Sequence, residues 1–254
     1  MFFVGCSDLQ KALKSDDITL KNDLAQELYE QGKFRKAAQL YAQLKEKYRG
    51  KPQAERIVFF YANSLLNTKN YILAAYEFET FVKAYPKSQK ADEAYFLMAF
   101  SHYKTSPNFS LDQADTYEAL DKIQEFINRY PASERMAEAN AMAKELREKT
   151  EKKAFENAKQ FNTIRDYKAS ITALDNFIAD NPGTTYREGA LFVQFSAATT
   201  LAINSVLYKK ENRLQDAQSK FENFKRLYPD SDHMPDAVEM MKDIEEEIRT
   251  FASN

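Results

Sequence analysis

Four stretches of the chain superimpose without gaps, at 74–88, 119–133, 170–184 and 217–231. Each opens on a small residue: Ala74, Ala119, Ser170 or Ala217. Four residues on stands Phe78, Ile123, Leu174 or Phe221, and three beyond that always a phenylalanine, Phe81, Phe126, Phe177 or Phe224. Each stretch then reaches a proline (Pro86, Pro131, Pro182, Pro229) and, two residues later, a hydroxyl residue (Ser88, Ser133, Thr184, Ser231). A small residue followed by apolar residues one and two turns on is a single helical stripe. The proline bars its predecessor from the helical conformation and ends the helix, and the Ser or Thr oxygen can cap the next one. A helical unit repeated in this way predicts an all-α solenoid, each unit burying its stripe against its neighbours.

The pattern extends upstream. In 24–44 the chain runs Leu24-Ala25, Leu28, Gly32-Lys33-Phe34, Ala37, Tyr41 and Leu44, which resembles the tetratricopeptide pattern, with Arg49 in place of the terminal proline and Pro52 following. The next unit carries Tyr61-Ala62, Leu65, Tyr71, Ala74 and Phe78. In both units the two small residues lie twelve apart (25 to 37, 62 to 74), so that helices A and B of one hairpin can approach closely. The third unit pairs Ala99 with Ala119, predicting a longer turn around 105–109 and a capping box at Ser110–Gln113. The fourth pairs Ala158 with Ser170. The fifth pairs Ala197 with Ala217, predicting a longer turn near Lys209–Arg213 and a capping box at Thr185–Glu188. The 134–161 stretch has no breaker and reads as one long helix, and 235–251 reads as an amphipathic capping helix. The expectation is a right-handed solenoid of about five hairpins with a C-terminal cap. It divides into 1–18, a tether; 19–133, repeats one to three; and 134–254, the joining helix, repeats four and five and the cap.

Composition narrows the function. The net charge is −2, so nothing in the composition calls for nucleic acid or anionic lipid as partner. The two histidines, His102 and His233, fall in no metal-ligand spacing, the five glycines never cluster into a phosphate cradle, and Cys6 has no positioned base beside it. No catalytic constellation, metal site or cofactor is expected. Solenoids act through a concave face built mainly from helix A. Since the small residues face helix B, the opposite side of helix A points to Asn22, Gln26 and Tyr29 in repeat one, Phe59, Phe60, Asn63 and Asn67 in repeat two, and Phe96, Phe100 and Tyr103 in repeat three. These aromatics either line a groove for an extended apolar peptide or pack between neighbouring A helices; the two asparagines, one turn apart, could hold a ligand's backbone.

The chain opens Met1-Phe2-Phe3-Val4-Gly5-Cys6-Ser7, an apolar run ending in Gly-Cys that resembles a bacterial lipobox, with Phe3 where leucine is usual. Together with the polar stretch after Cys6, the five repeats with their YP-x-S ends, the longer turns in repeats three and five, the long helix before the fourth, and the phrases SLDQADTY, EKKAFENAK and DYKASITALDNF, the chain resembles the BamD family of lipoproteins over 6–254. That resemblance implies a non-catalytic scaffold on the periplasmic face of the outer membrane, lipid-anchored through Cys6. It implies docking on the POTRA domains of a barrel insertase through the C-terminal repeats, and reception of unfolded outer-membrane protein precursors through the N-terminal ones. Another periplasmic tetratricopeptide adaptor, for instance one coordinating envelope division, remains the alternative.

Overall fold

The computed structural model describes residues 5–252, and every regular element among them is an α-helix. A short α1 (Gly5–Lys14) leads into five helical hairpins. They are α2 (Ile18–Glu30) with α3 (Phe34–Lys47), α4 (Ala54–Asn67) with α5 (Tyr71–Ala84), α6 (Ala91–Thr105) with α7 (Ala114–Arg129), α8 (Met136–Thr163) with α9 (Tyr167–Asp180), and α10 (Arg187–Ile203) with α11 (Leu207–Leu227). The chain closes on α12 (Met234–Ala252).

The proline turn is the same object four times. Tyr85, Tyr130, Asn181 and Tyr228 leave the helical region (φ −128, −127, −127 and −136°), as a residue before proline must, and donate their N–H to the carbonyls of Phe81, Phe126, Phe177 and Phe224. In the first repeat Arg49 replaces the proline, and the chain turns instead through Gly50 at φ +77°, a conformation that suits glycine. The hydroxyls that follow accept an N–H two residues on: Ser88 from Lys90, Ser133 from Arg135, Thr184 from Tyr186 and Ser231 from His233, at 2.9–3.2 Å. The Ser88 and Ser133 hydroxyls also donate to Glu55 (2.5 Å) and Asp92 (2.9 Å), in the first turns of α4 and α6, tying the end of each hairpin to its beginning. Replacing Ser133 by alanine removes both bonds, and a loss of about 1 kcal/mol is expected in denaturant unfolding.

Inside the hairpins a second turn repeats. Gly32, Lys69 and Arg165 take the left-handed conformation, and the next residue donates its N–H five residues back, Lys33 to Leu28, Asn70 to Leu65 and Asp166 to Phe161.

Two compact units divide at Arg147/Glu148, within α8. In the first unit the stripe residues form three cores. Ala25, Leu28, Ala37, Leu40, Tyr41 and Leu44 make one, Ala62, Leu65, Ala74, Phe78 and Phe81 the next, and Phe96, Ala99, Ala119, Ile123 and Phe126 the third. The paired alanines at 25/37, 62/74 and 99/119 are fully buried. Consecutive B helices are bridged by Lys45–Glu77 (2.6 Å) and Lys122–Glu79 (3.6 Å). In the second unit Phe155, Ala158, Leu174 and Phe177 form one core, and the Ser170 hydroxyl donates to the Ala158 carbonyl (3.4 Å) at the close approach of α8 and α9. Leu191, Phe195, Ala198, Leu214, Ala217, Phe221 and Phe224 form another, closed by Ala237 and Ile244 of α12, the expected cap.

Several local expectations are corrected. The 1–18 tether is helical over Gly5–Lys14, and Leu9 and Ala12 are buried with the first repeat's core. The division falls at 147 rather than 133 because Ala139, Met142, Ala143 and Leu146, the first half of α8, pack into the third hairpin's core. Neither capping box forms: at α7 the Ala114 N–H goes to Asp112 while Gln113 donates back to the carbonyls of Asn108 and Leu111, and at α10 Thr184 rather than Thr185 holds the turn. The surplus residues of the fifth repeat lengthen its helices instead of its turn, so Lys209–Arg213 lies in α11; Ala197 is buried, but Ala198 shares the core with Ala217.

Candidate functional site

The aromatic side chains named for helix A divide into two rows. Phe59 and Phe96 are buried (6% and 5% exposed) and belong to the cores, Phe59 against Phe81 (centroids 5.4 Å) and Phe96 against Phe126 (5.5 Å). Their helical spacing places them on the B-helix side of the stripe, which an average over the helix could not separate from the outer side. Tyr29, Phe60, Phe100 and Tyr103 are half-buried. Tyr29 meets Phe60 edge to face at 4.8 Å, across the gap from α2 to α4, and Phe60 stacks on Tyr41 at 6.0 Å. Phe100 bridges Phe96 (6.3 Å) and Tyr103 (6.1 Å) along α6. These four rings each show one side to solvent while the other continues the core.

Cations attend the exposed sides. The Arg56 guanidinium stands 5.5 Å from the Phe60 ring, and Lys104 lies 4.9 Å from both Phe100 and Tyr103. Arg56 also donates to Gln26 (2.6 Å), joining α2 to α4, and Gln26 donates to Glu30 (2.8 Å). Tyr103 donates to Glu145 (2.6 Å), and that bond, with burial second, pushes its phenol up to about 12. Burial, with Glu93 nearby, raises Tyr29 as well. Both remain neutral donors at any physiological pH. Asn63 is buried and donates to the Phe59 carbonyl (3.3 Å), and Asn67 donates to the Asn63 carbonyl (2.8 Å), so both amides are turned back on their own helix. Asn22 is half-buried on α2. The Cys6 side chain lies outside the described residues.

Where α4 begins, Phe59, Phe60 and Phe81 floor a pocket of about 210 Å³ rimmed by Pro52, Glu55, Arg56 and Lys90. That volume is below the usual small-molecule range and suits a single large side chain. Lys90 sits 5.2 Å above Phe59 and pairs with Glu93 (2.9 Å). Arg56 and Lys90 were not singled out in the sequence, although Pro52, Arg56 and Phe60 recur every fourth residue, the spacing of one helical face. The histidines stand apart: His102 is 3.7 Å from Glu118 with its pKa lowered chiefly by burial, and His233 stacks on Phe192 at 4.3 Å. No helix among the described residues is long and apolar enough to cross a membrane.

A 93-residue segment is 27% identical to the outer membrane protein assembly factor BamD of Helicobacter pylori (strain ATCC 700392 / 26695), covering 37% of this chain and 42% of that protein. The chain therefore matches less than half the length of that relative. The model of the family YfiO, described as outer membrane lipoprotein, matches 22–205 and 149–250, and so runs from within α2 to within α12. The chain belongs to the YfiO family of outer membrane lipoproteins.

Proposed function

We propose that this chain is a non-catalytic scaffold subunit in the assembly of outer-membrane β-barrel proteins. It is held at the periplasmic face of the membrane by a lipid on Cys6, binds the barrel insertase through that protein's POTRA domains, and receives unfolded barrel precursors. The relative's role as an assembly factor and the family's lipoprotein character support the reading. The observation that carries it is the row of half-buried rings, Tyr29, Phe60, Phe100 and Tyr103, flanked by Arg56 and Lys104, in the first unit. Rings with one face packed and one face wet offer apolar area at little entropic cost to an extended, aromatic-rich segment, and the cations add a place for its carboxylate. The pocket at Phe59, Phe60 and Phe81 would take one side chain of such a segment, and Phe96 supports Phe100 from beneath. Asn63 and Asn67 contribute by holding the α4 backbone rather than by touching the ligand.

The test is binding of a labelled peptide that ends in an aromatic residue, followed by fluorescence anisotropy. Phe60→Ser with Phe100→Ser is expected to weaken binding about thirty-fold or more, the scale of a two-kcal/mol hot spot. Because Phe60 also packs on Tyr29 and Tyr41, Arg56→Glu serves as a second variant whose exposed side chain can change without loss of core. Unchanged binding in both removes the aromatic face from the reading. Purification of the acylated chain from outer membranes tests the other half: a POTRA-bearing barrel in stoichiometric amount is the expected companion.

A further inference from the structure

A shallow pocket of about 490 Å³ opens between the turns of the first two hairpins, lined by residues 32–36 and 67–69. Lys33, Arg35, Lys36 and Lys69 supply half of that lining, and no acidic residue contributes to it. None of the four takes part in an ion pair or a side-chain hydrogen bond among the described residues, although the chain holds 38 acidic residues against 36 basic ones. Four cations at one place repel one another, and an anionic partner relieves that repulsion; Lys69, at the edge of the group, also lines a neighbouring pocket with Ile72, Asp115 and Glu118. The start of α3 adds to the field: its N-cap is Lys33, which makes no side-chain cap bond, and its first turn carries no acid, so nothing offsets the positive end of the helix dipole beside the pocket.

The uncharged polar groups in the lining are committed internally. Asn67 donates to the Asn63 carbonyl (2.8 Å), and the Thr68 hydroxyl to the carbonyls of Ser64 (3.1 Å) and Leu65 (2.9 Å). What remains to offer outward is cationic groups on long, flexible stems, which suits phosphate groups in a fluid array better than a defined acidic peptide. Beyond Lys69, in the first turn of α5, Ile72 is 77% exposed. Cations beside a protruding aliphatic side chain match a bilayer interface, where headgroups carry the negative charge and the acyl boundary takes the apolar group. The small pocket at Arg56 and Phe60 lies towards the other end of α4, while Tyr29 of the aromatic row reaches this edge, 5.2 Å from Phe34 of the lining.

We infer that the turn edge of the first two hairpins docks on an anionic phospholipid surface, Lys33, Arg35, Lys36 and Lys69 meeting headgroup phosphates and Ile72 entering the acyl boundary. This contact is independent of the lipid on Cys6 and of the barrel-assembly reading. It would hold the first unit against the membrane in a fixed attitude, where a lipid on a terminal cysteine alone leaves it free to turn.

The experiment is co-sedimentation of the full, unacylated chain with vesicles of phosphatidylglycerol and phosphatidylethanolamine, and with vesicles of phosphatidylcholine alone, at ~0.1 M salt. Binding to the anionic vesicles only is expected. Each single Lys→Gln or Arg→Gln change weakens it about five-fold, and the quadruple variant Lys33→Gln/Arg35→Gln/Lys36→Gln/Lys69→Gln about a hundred-fold or more. Ile72→Ser weakens it further, while circular dichroism confirms that each variant is folded. A control of equal charge change, Lys87→Gln/Lys225→Gln/Arg226→Gln/Lys242→Gln, is expected to bind as the parent does. Equal loss in both quadruple variants would reduce the effect to net charge and overturn the site. Failure to bind anionic vesicles, with retained binding to polyglutamate, would overturn it in favour of an acidic protein partner.

Discussion

Phe126→Ala is expected to cost about 3–5 kcal/mol, a large share of the ~5–15 kcal/mol that holds a typical domain folded. Phe126 is completely buried, with Phe96 at 5.5 Å and Tyr130 at 5.8 Å, and it shares its core with Ala139, Met142 and Leu146 of α8. Truncation deletes the ring's burial and leaves a cavity that three helices would have to collapse to fill. The Phe126 carbonyl also accepts the Tyr130 N–H ahead of Pro131, so the turn is anchored to the same residue. In a stack where each unit touches only its neighbours, the loss should be local. Hydrogen exchange is expected to show protection falling in α6, α7 and the first half of α8, while the second unit's α10 and α11 keep theirs. Uniform loss across both units would mean that the chain folds as one cooperative block. Phe224→Ala, the same position of the repeat in the second unit, should give the mirror result.

What was legible in the sequence follows from how short the relevant interactions are. The A–B hairpin needs only a stripe at helical spacing, a small residue at each crossing and a proline to stop, all within one stretch, so Ala74, Phe78, Phe81 and Pro86 declared themselves. Three-dimensional context decided the rest. Ser110–Gln113 has the letters of a capping box, yet the buried Gln113 side chain found three backbone carbonyls instead, and the box gave way. The extra residues of the fifth repeat could extend either a turn or the helices; the turn takes only 204–206, and nothing in 207–213 breaks a helix, so those residues join α11. The aromatics of helix A were recognised as a set but not divided into core and surface, because Phe59 and Phe60 are adjacent and only the packing of α5 shows which one it covers. The cationic pocket was invisible because its residues come from two turns, 32–36 and 67–69, too far apart in sequence to read as one charge run.

Lys45→Met is expected to destabilise the first unit by about 3–5 kcal/mol, far beyond the usual effect of losing a lysine. Lys45 reaches from α3 to α5, its Nζ 2.6 Å from Glu77 Oε1 and 5.4 Å from the Tyr61 ring. The Glu77 side chain is only 3% exposed, and its other oxygen, Oε2, has no hydrogen-bond partner. With Lys45 gone, a carboxylate would remain in an apolar setting with nothing to balance it. Glu77 is thus held by a single cation, which separates it from Glu79, two residues on and on another side of α5, whose carboxyl is 31% exposed and reaches both Lys83 (3.1 Å) and Lys122 (3.6 Å). Lys122→Met should accordingly cost no more than about 1 kcal/mol. The decisive variant is Lys45→Met/Glu77→Leu, which removes both charges and fills the space with apolar groups. It is expected to recover most of the loss and to match or exceed the parent in urea unfolding, since the pair's desolvation cost disappears with it. A double-mutant cycle built from these chains would then give a coupling energy of several kcal/mol for Lys45–Glu77 and well under one for Lys122–Glu79. Equal couplings would place water around Glu77 and make the pair an ordinary surface bridge. A large one marks a contact whose main effect is to fix how α5 seats against α3, because any other seating strands the carboxylate.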